Sequence, residues 1–232
     1  MSAPFLSVII PVLNEAAAIG AQLGALQTLR EQGAELILVD GGSSDDTTEK
    51  ARPLVDQVIG AACGRAAQMN AGAQRSRAQT LLFLHADTGL PATAFENIRS
   101  AIDAGAVWGR FDVRIDSLHP LLRIVEQAMN WRSRLTGIAT GDQAIFVCRD
   151  RFEQIGGYPD LPLMEDIALT TKLKRMAAPD CLRECVVTSG RRWEKRGVVR
   201  TIVLMWRLRA AFFFGADPAK LAVRYGYLPM QR

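Results

Sequence analysis

The chain has 232 residues, a net charge of +4, and 49% apolar against 22% charged residues. That apolar share is ample for a large core and excludes disorder, and the length suits one compact domain with a small C-terminal addition. So small a positive surplus favours anionic substrates or a membrane surface and argues against nucleic acid.

The opening MSAPFLSVIIPVLNE lacks the basic flank, long apolar core and cleavage site of a secretory leader. No window holds eighteen uncharged apolar residues, so no membrane span is expected. Cys63, Cys148, Cys181 and Cys185 are scattered without a second pair or a nearby histidine, which suits free thiols and a cytoplasmic location.

Leu6 to Val12 reads as a first buried strand, with Pro11 near its end, followed by Asn14 and Glu15. Ile19, Leu23, Leu26 and Leu29 recur at helical spacing, and Gly33 stops that helix. Glu35 to Val39 is a second strand, ending at Asp40 in a Gly/Ser/Asp turn before the helix TTEKARPLV. Val58-Ile59 is a short third strand, and Arg65 to Ala73 a helix or turn presenting Arg65 and Asn70. Thr80 to Asp87 is a fourth strand, whose apolar run stops at His85 and Asp87. Side chains two apart on an extended chain face the same way, so both could share one cation or one ribose; a plain strand with a capped turn fits equally. Beyond it we expect a helix from Pro91, a strand over Ala106–Ile115, an amphipathic helix over His119–Leu135 and a strand over Gln143–Cys148. A helix opens at Leu163-Met164-Glu165-Asp166, a last strand covers Leu182–Thr188, and SGRRWEKRG reads as a polar loop.

Strands alternating with helices predict a mostly parallel α/β sheet covered on both faces, with ligands beyond the strands' carboxyl ends. Asn14/Glu15, Asp40 and His85/Asp87 are expected on that edge. There is no G-x-G-x-x-G and no P-loop motif. A diphosphate would therefore need a divalent ion, with Asp87 as the leading ligand and Arg65 as a compensating charge. Glu165-Asp166 is either a capping pair or the source of a general base. Arg192-Trp193 could hold a phosphate and stack a sugar, or simply pack at the surface.

Taken in order, SVIIPVLNE, ELILVDGGSSDDT, GRAAQMNAGA, LLFLHADT, the Glu165-Asp166 pair and RRW resemble the inverting family 2 glycosyltransferases of the GT-A fold. TGDQAIFV and RRWEKRG are particularly similar to the bacterial selenodomain-associated branch. The resemblance implies a Rossmann-like glycosyltransferase domain over residues 1–196, with a donor half to about residue 110 and an acceptor half over 111–196. A C-terminal helical extension follows over 197–232. It implies a UDP- or GDP-sugar donor, Mn²⁺ or Mg²⁺, and transfer to a small-molecule or lipid-linked acceptor hydroxyl. Residue by residue, Asp40 matches the nucleobase-binding acid, and Pro11 and Glu15 the donor-binding strand end. Arg65, with Asn70, lies in the segment that approaches the base. Asp87 matches the metal-binding acid and Asp166 the catalytic base, with Glu165 beside it. Asp142 borders the acceptor site with Arg192 and Trp193.

Two positions depart from the family pattern. His85 stands where the first acid of the metal motif belongs, and would contact ribose or metal as a neutral imidazole. Ser189 replaces the glutamine of processive synthases, which argues against polysaccharide synthesis. The alternatives are a nucleotidyltransferase making a sugar nucleotide, and a non-catalytic nucleotide-sugar-binding protein. The basic, aromatic run over residues 198–214 suits either a protein interface, as in a homodimer, or contact with the inner face of a membrane.

Overall fold

The computed structural model describes residues 3–227, so residues 228–232 of the expected extension lie outside the described residues. In chain order the elements are β1 (Leu6–Val12), α1 (Ile19–Ala25), α2 (Gln27–Glu31), β2 (Glu35–Asp40), α3 (Thr47–Ala51), β3 (Gln57–Gly60) and α4 (Arg65–Arg75). Then come β4 (Thr80–Phe83), β5 (Thr88–Gly89), α5 (Ala94–Asp103), β6 (Trp108–Asp116), α6 (Pro120–Thr136), β7 (Ile145–Cys148) and α7 (Arg149–Gln154). The chain continues with α8 (Glu165–Leu173), β8 (Asp180–Ser189), α9 (Arg191–Arg196), α10 (Val198–Phe213) and α11 (Pro218–Tyr225).

The strands form one sheet in the order β3-β2-β1-β4-β7-β6-β8-β5. β1 to β4 are mutually parallel, as are β6 and β8, whereas β7 and β5 run antiparallel to their neighbours. The sheet is thus mostly parallel, as expected, with two reversals that apolar patterning does not encode.

Alternation within the strands builds two cores. Leu6, Val8, Ile10, Leu36, Leu38 and Leu82 pack on one face against Ile19, Leu23, Leu26, Leu29, Phe95 and Ile98. Ile9, Ile37, Val39, Leu81 and Phe83 face the other way, onto Met69, Phe152 and Leu173. β1, β2 and β4 are therefore almost wholly apolar because both of their faces are covered. α4 lies close against β1 and β2 at Gly72, where a Cβ would come within 2.4 Å of Ile9 Cγ2 and 3.0 Å of Val39 Cγ2.

Three segments differ from expectation. β4 ends at Phe83: the ladder persists through Leu84 N–H to Ile9 O, then the chain turns, with Thr88 N–H returning to His85 O. His85 and Asp87 hence sit in a turn, where strand alternation no longer sets their directions. RRWEKR is the helix α9 and not a loop. The expected C-terminal helical extension is divided into two helices, α10 and α11; Asp217 caps α11 by accepting from Ala219 N–H, and Gly226 ends it with φ 98°.

α10 packs one face, through Leu204, Leu208, Ala211 and Phe212, against Leu163, Met164 and α11. Its opposite face leaves Val199, Val203, Trp206 and Phe213 exposed. Among the described residues no helix is long and apolar enough to cross a membrane.

The foot of the sheet is fixed by a polar knot. Glu35, buried at the start of β2, accepts from Ser7 Oγ at 2.6 Å, Arg77 N at 3.0 Å, Arg77 Nε at 2.8 Å and Gln57 Nε2 at 3.0 Å. Burial pushes the Glu35 pKa up, but these donors outweigh it and hold it below the ordinary carboxylate value. A depressed acid stabilises the fold above its unfolded-state pKa, and that contribution disappears as pH falls through the folded-state value. Glu35→Ala should cost about 1–3 kcal/mol at neutral pH, since it orphans the buried Ser7 hydroxyl and removes the acceptor of three part-buried donors. Urea melts at pH 7 and pH 3 check this: the gap between variant and wild type should narrow in acid.

Candidate active site

The parallel strands bring their carboxyl ends to one edge, and cross-loop hydrogen bonds shape it. Pro11 is buried in β1 opposite Val39, one residue before the strand's end. Gln68 of α4 donates to Val12 O at 2.9 Å and Val39 O at 2.8 Å, tying the ends of β1 and β2 together. Asn14 takes a left-handed φ of 54° and accepts from Ser44 N at 2.8 Å, while Glu15 N donates to Thr47 Oγ1 at 2.8 Å. Asp40 accepts from Gly42 N and Ser43 N, each at 3.1 Å, and from Ser43 Oγ; it braces its own turn at this edge.

Glu15 and Asp87 come together across the ends of β1 and β4. Burial and the charge of Asp87 push the Glu15 pKa up, and Arg191, at the start of α9, opposes them. Asp87 is exposed, and its carboxylate accepts only a 3.4 Å contact from Thr88 Oγ1 among the described residues. Arg191 was not singled out in the sequence; its charge reaches this acid pair because the turn after β8 lies beside Asp87, with Ser189 N donating to Asp87 O at 3.1 Å.

The second group of residues centres on the loop from Ile138 to Gln143. Gly141 N donates to Asp166 Oδ2 at 2.8 Å, and Ile167 N donates to Asp166 Oδ1 at 2.7 Å, so both oxygens of Asp166 are oriented in the first turn of α8. Asp142 Oδ1 meets His85 Nδ1 at 3.3 Å. Burial alone would raise the Asp142 pKa, but His85, Arg65 and Arg209 hold it down at about 2. The other edge of the His85 ring lies on Gly141, where a Cβ would fall 2.3 Å from Nε2. His85 thus braces the loop through Nδ1 on Asp142, with Gly141 packed beside Nε2.

Among the described residues three non-glycine ones, Asn14, Ala144 and Met164, adopt left-handed φ values of 54°, 48° and 68°. Each adjoins a candidate segment, and such strain persists only where surrounding contacts fix the backbone.

Glu165 is buried. Burial and the neighbouring Asp166 push its pKa up, while Arg65 Nη1, 3.5 Å away, pulls it down. Arg65, the first residue of α4, also donates to Tyr227 Oη and lies 5.7 Å from that ring's centre. Desolvation works against the Arg65 charge, but Tyr227 and Glu165 more than compensate. Asn70 is elsewhere: its amide donates to Tyr158 O at 2.8 Å and accepts from Tyr158 N at 2.9 Å, which uses it to pin the turn before α8. Trp193 packs with Ile115, Leu122 and Val198, and Arg192 stacks 4.4 Å from the Tyr225 ring centre. Both take part in the packing of α9 and α11.

Two further arginines border Asp142 and Asp166: Arg132 from α6 and Arg209 from α10. The acids support both charges, while burial opposes them. On α10 helical spacing sets Arg209 nearly opposite Arg200 and Arg207, the one sequence signal that it faces inward.

The exposed carboxylate of Asp87, with Glu15 beside it, fits a divalent cation whose remaining ligands come from a bound diphosphate and water. Among the described residues no three acids, histidines or cysteines converge as a cage that would bind a metal without that help. Asp166, oriented by two N–H groups, is suited to accept a proton.

Residues 7–152 match the model of the family described as Glycosyl transferase family 2. The PGL/p-HBAD biosynthesis glycosyltransferase of Mycobacterium bovis is 38% identical over 97 residues, covering 39% of this chain and 38% of the relative. The chain thus aligns with well under half the length of that curated relative. Among solved structures, S. aureus TarS in complex with UDP-GlcNAc superposes with a TM-score of 0.67 at 18% identity, covering 80% of this chain and 58% of that one. The mannosyltransferase PcManGT from Pyrobaculum calidifontis, in complex with GDP-Man and Mn²⁺, gives a TM-score of 0.65 at 21% identity, covering 98% and 70%. At these identities the structural likeness is one of fold.

Proposed function

Because this chain belongs to glycosyl transferase family 2, we propose that it moves a sugar from a nucleoside-diphosphate donor to an acceptor hydroxyl with inversion, Asp166 serving as the general base. Family membership sets the nucleotidyltransferase reading aside. The observation that carries the mechanism is the orientation of Asp166, whose oxygens receive the Gly141 and Ile167 N–H groups on the sheet edge that also bears Glu15 and Asp87. Relatives of the same fold, crystallised with UDP-GlcNAc or with GDP-Man and Mn²⁺, support a nucleotide-sugar donor.

In this reading Asp40 and its braced turn border the nucleobase, with Arg65 on the same side. Asp87, flanked by Glu15, would hold Mn²⁺ or Mg²⁺; such an ion supplies charge neutralisation of the departing diphosphate. Asp142 and His85 hold the Gly141 loop, and that loop aims Asp166 at the acceptor hydroxyl. Asp166 takes the hydroxyl proton as the oxygen attacks the anomeric carbon from the face opposite the leaving group. Glu165, buried against Arg65, positions the helix start and does not exchange the proton. The acceptor is a small molecule or a lipid-linked one.

The test is binding and turnover with UDP- and GDP-sugars, with and without Mn²⁺. Asp87→Ala should remove the metal-dependent part of nucleoside-diphosphate affinity, a loss of about tenfold or more, given that a charged ligand contact contributes about 1.5–3 kcal/mol. Calorimetry showing equal affinity in both proteins, with and without Mn²⁺, would overturn the metal-assisted reading. Donor binding with no turnover of any kind would instead favour a binding protein.

A further inference from the structure

The Asp166 side of the site holds cations that the reaction as drawn does not use. Arg132 spends its Nε on Ile138 O at 3.3 Å, which leaves Nη2 buried without a partner. Arg209 likewise buries its Nε without a partner. Neither forms an ion pair among the described residues, although Asp142 and Asp166 lie near enough to act on both. The two guanidinium groups also act on each other, and with burial this repulsion brings the Arg132 pKa down to about 10. Like charges that act on each other, each with a buried N–H lacking a partner, are costly unless something anionic joins them.

Their placement is enforced. α6 is clamped to β6 by Arg134, which grips Asp112 at 2.7 and 2.8 Å, and by Asn130 Oδ1, which accepts from Val113 N at 2.9 Å. This fixes the turn from which Arg132 projects. α10 is seated by buried Leu208, directly before Arg209. The Glu15/Asp87 side has a separate cation in Arg191, so Arg132 and Arg209 are not needed there.

We propose that Arg132 and Arg209 form an oxyanion subsite for the acceptor, so that the attacked hydroxyl belongs to a molecule that also carries a phosphate or a carboxylate. Guanidinium N–H groups match such oxygens in a fixed fork, and the pair would hold the anion beside the base. The inference rests on the assignment of Asp166 as the base, because that assignment makes this the acceptor side.

The test titrates inorganic phosphate and, separately, acetate into the full-length protein at low salt, with saturating UDP or GDP and Mn²⁺ present. Wild type should bind one of them without displacing the nucleotide; preference for phosphate indicates a phosphomonoester acceptor, preference for acetate a carboxylate. Arg209→Gln should weaken that binding about ten- to a hundredfold, the span expected for a charge-assisted contact, and Arg209→Lys should restore part of it. Arg132→Gln should act in the same direction. Nucleotide affinity, measured on the same samples, should stay unchanged. The proposal falls if wild type binds neither anion, if folded Arg209→Gln binds as wild type does, or if the anion competes with the nucleotide, which would give both arginines to the donor. A protein that binds oxyanion but no UDP or GDP would refute the donor reading while leaving the subsite in place.

Discussion

Asp166→Asn should lower the transfer rate by about 10²–10⁴-fold, the range of general-base catalysis, while leaving the affinity for a nucleoside diphosphate unchanged. The substitution is nearly isosteric, and the amide oxygen can still accept from Gly141 N–H, now 2.8 Å from Asp166 Oδ2. What it removes is the charge and basicity, together with the acceptor that Asp166 Oδ1 gives to Ile167 N–H. Glu165→Gln is the companion variant: with Glu165 buried beside Arg65, its loss should reduce stability more than it slows chemistry. Steady-state rates with saturating donor, set beside calorimetry with UDP or GDP, separate these effects. If Asp166→Asn turns over like wild type while Glu165→Gln does not, the base has been misassigned.

Gly109→Ala should be the most damaging small substitution in the sheet, at about 3 kcal/mol or more, because overpacking a strand against backbone leaves nothing free to move. The new Cβ would fall 2.3 Å from Phe146 Cζ and 2.4 Å from Asp180 O. Phe146 is fully buried and Asp180 O belongs to the paired strand β8, so relief requires β6 to separate from β7 or β8. Urea unfolding should show a lower midpoint with the slope unchanged. Gly20→Ala provides the control: it lies within α1 with nothing within 4 Å of its Cβ, and should stabilise by about 0.5–1 kcal/mol. Equal midpoints for the two variants would show that the close approach at Gly109 does not exist.

Much of the donor half was legible because strands buried on both faces are continuous apolar runs. Leu6–Val12 and Glu35–Asp40 could be read almost to the residue, and their ends carry Glu15 and Asp40 as expected. The pattern says nothing of direction, so the reversed β7 was not foreseen. Nor does it say where a ladder stops: Leu84 is as apolar as Phe83, yet the pairing with β1 gives out there. RRWEKR looked like a loop because it is short and almost wholly polar, and its helix is held by tertiary contacts: Trp193 on Ile115, Leu122 and Val198, and Arg192 and Arg196 on Tyr225. Asn70 and His85 were read as ligand-binding residues; their engagement of Tyr158 by the Asn70 amide and of Asp142 by His85 Nδ1 was not legible, because those partners lie 88 and 57 residues away in sequence. Arg132 and Arg209 were beyond reach for another reason. They stand far apart in sequence, on two helices, and only tertiary packing sets both beside Asp142 and Asp166.

The hydrogen bond from Gly141 to Asp166 gives the enzyme a built-in spectroscopic indicator. A backbone amide 2.8 Å from a carboxylate oxygen has a proton and nitrogen resonance sensitive to the charge on that oxygen. Following the Gly141 amide through an NMR pH titration would therefore report the ionisation of Asp166 in the intact protein, with no substrate and no substitution. The same resonance, watched as a candidate acceptor is added, would show when a hydroxyl has arrived at the carboxylate, which turns one loop amide into a screen for the unknown acceptor.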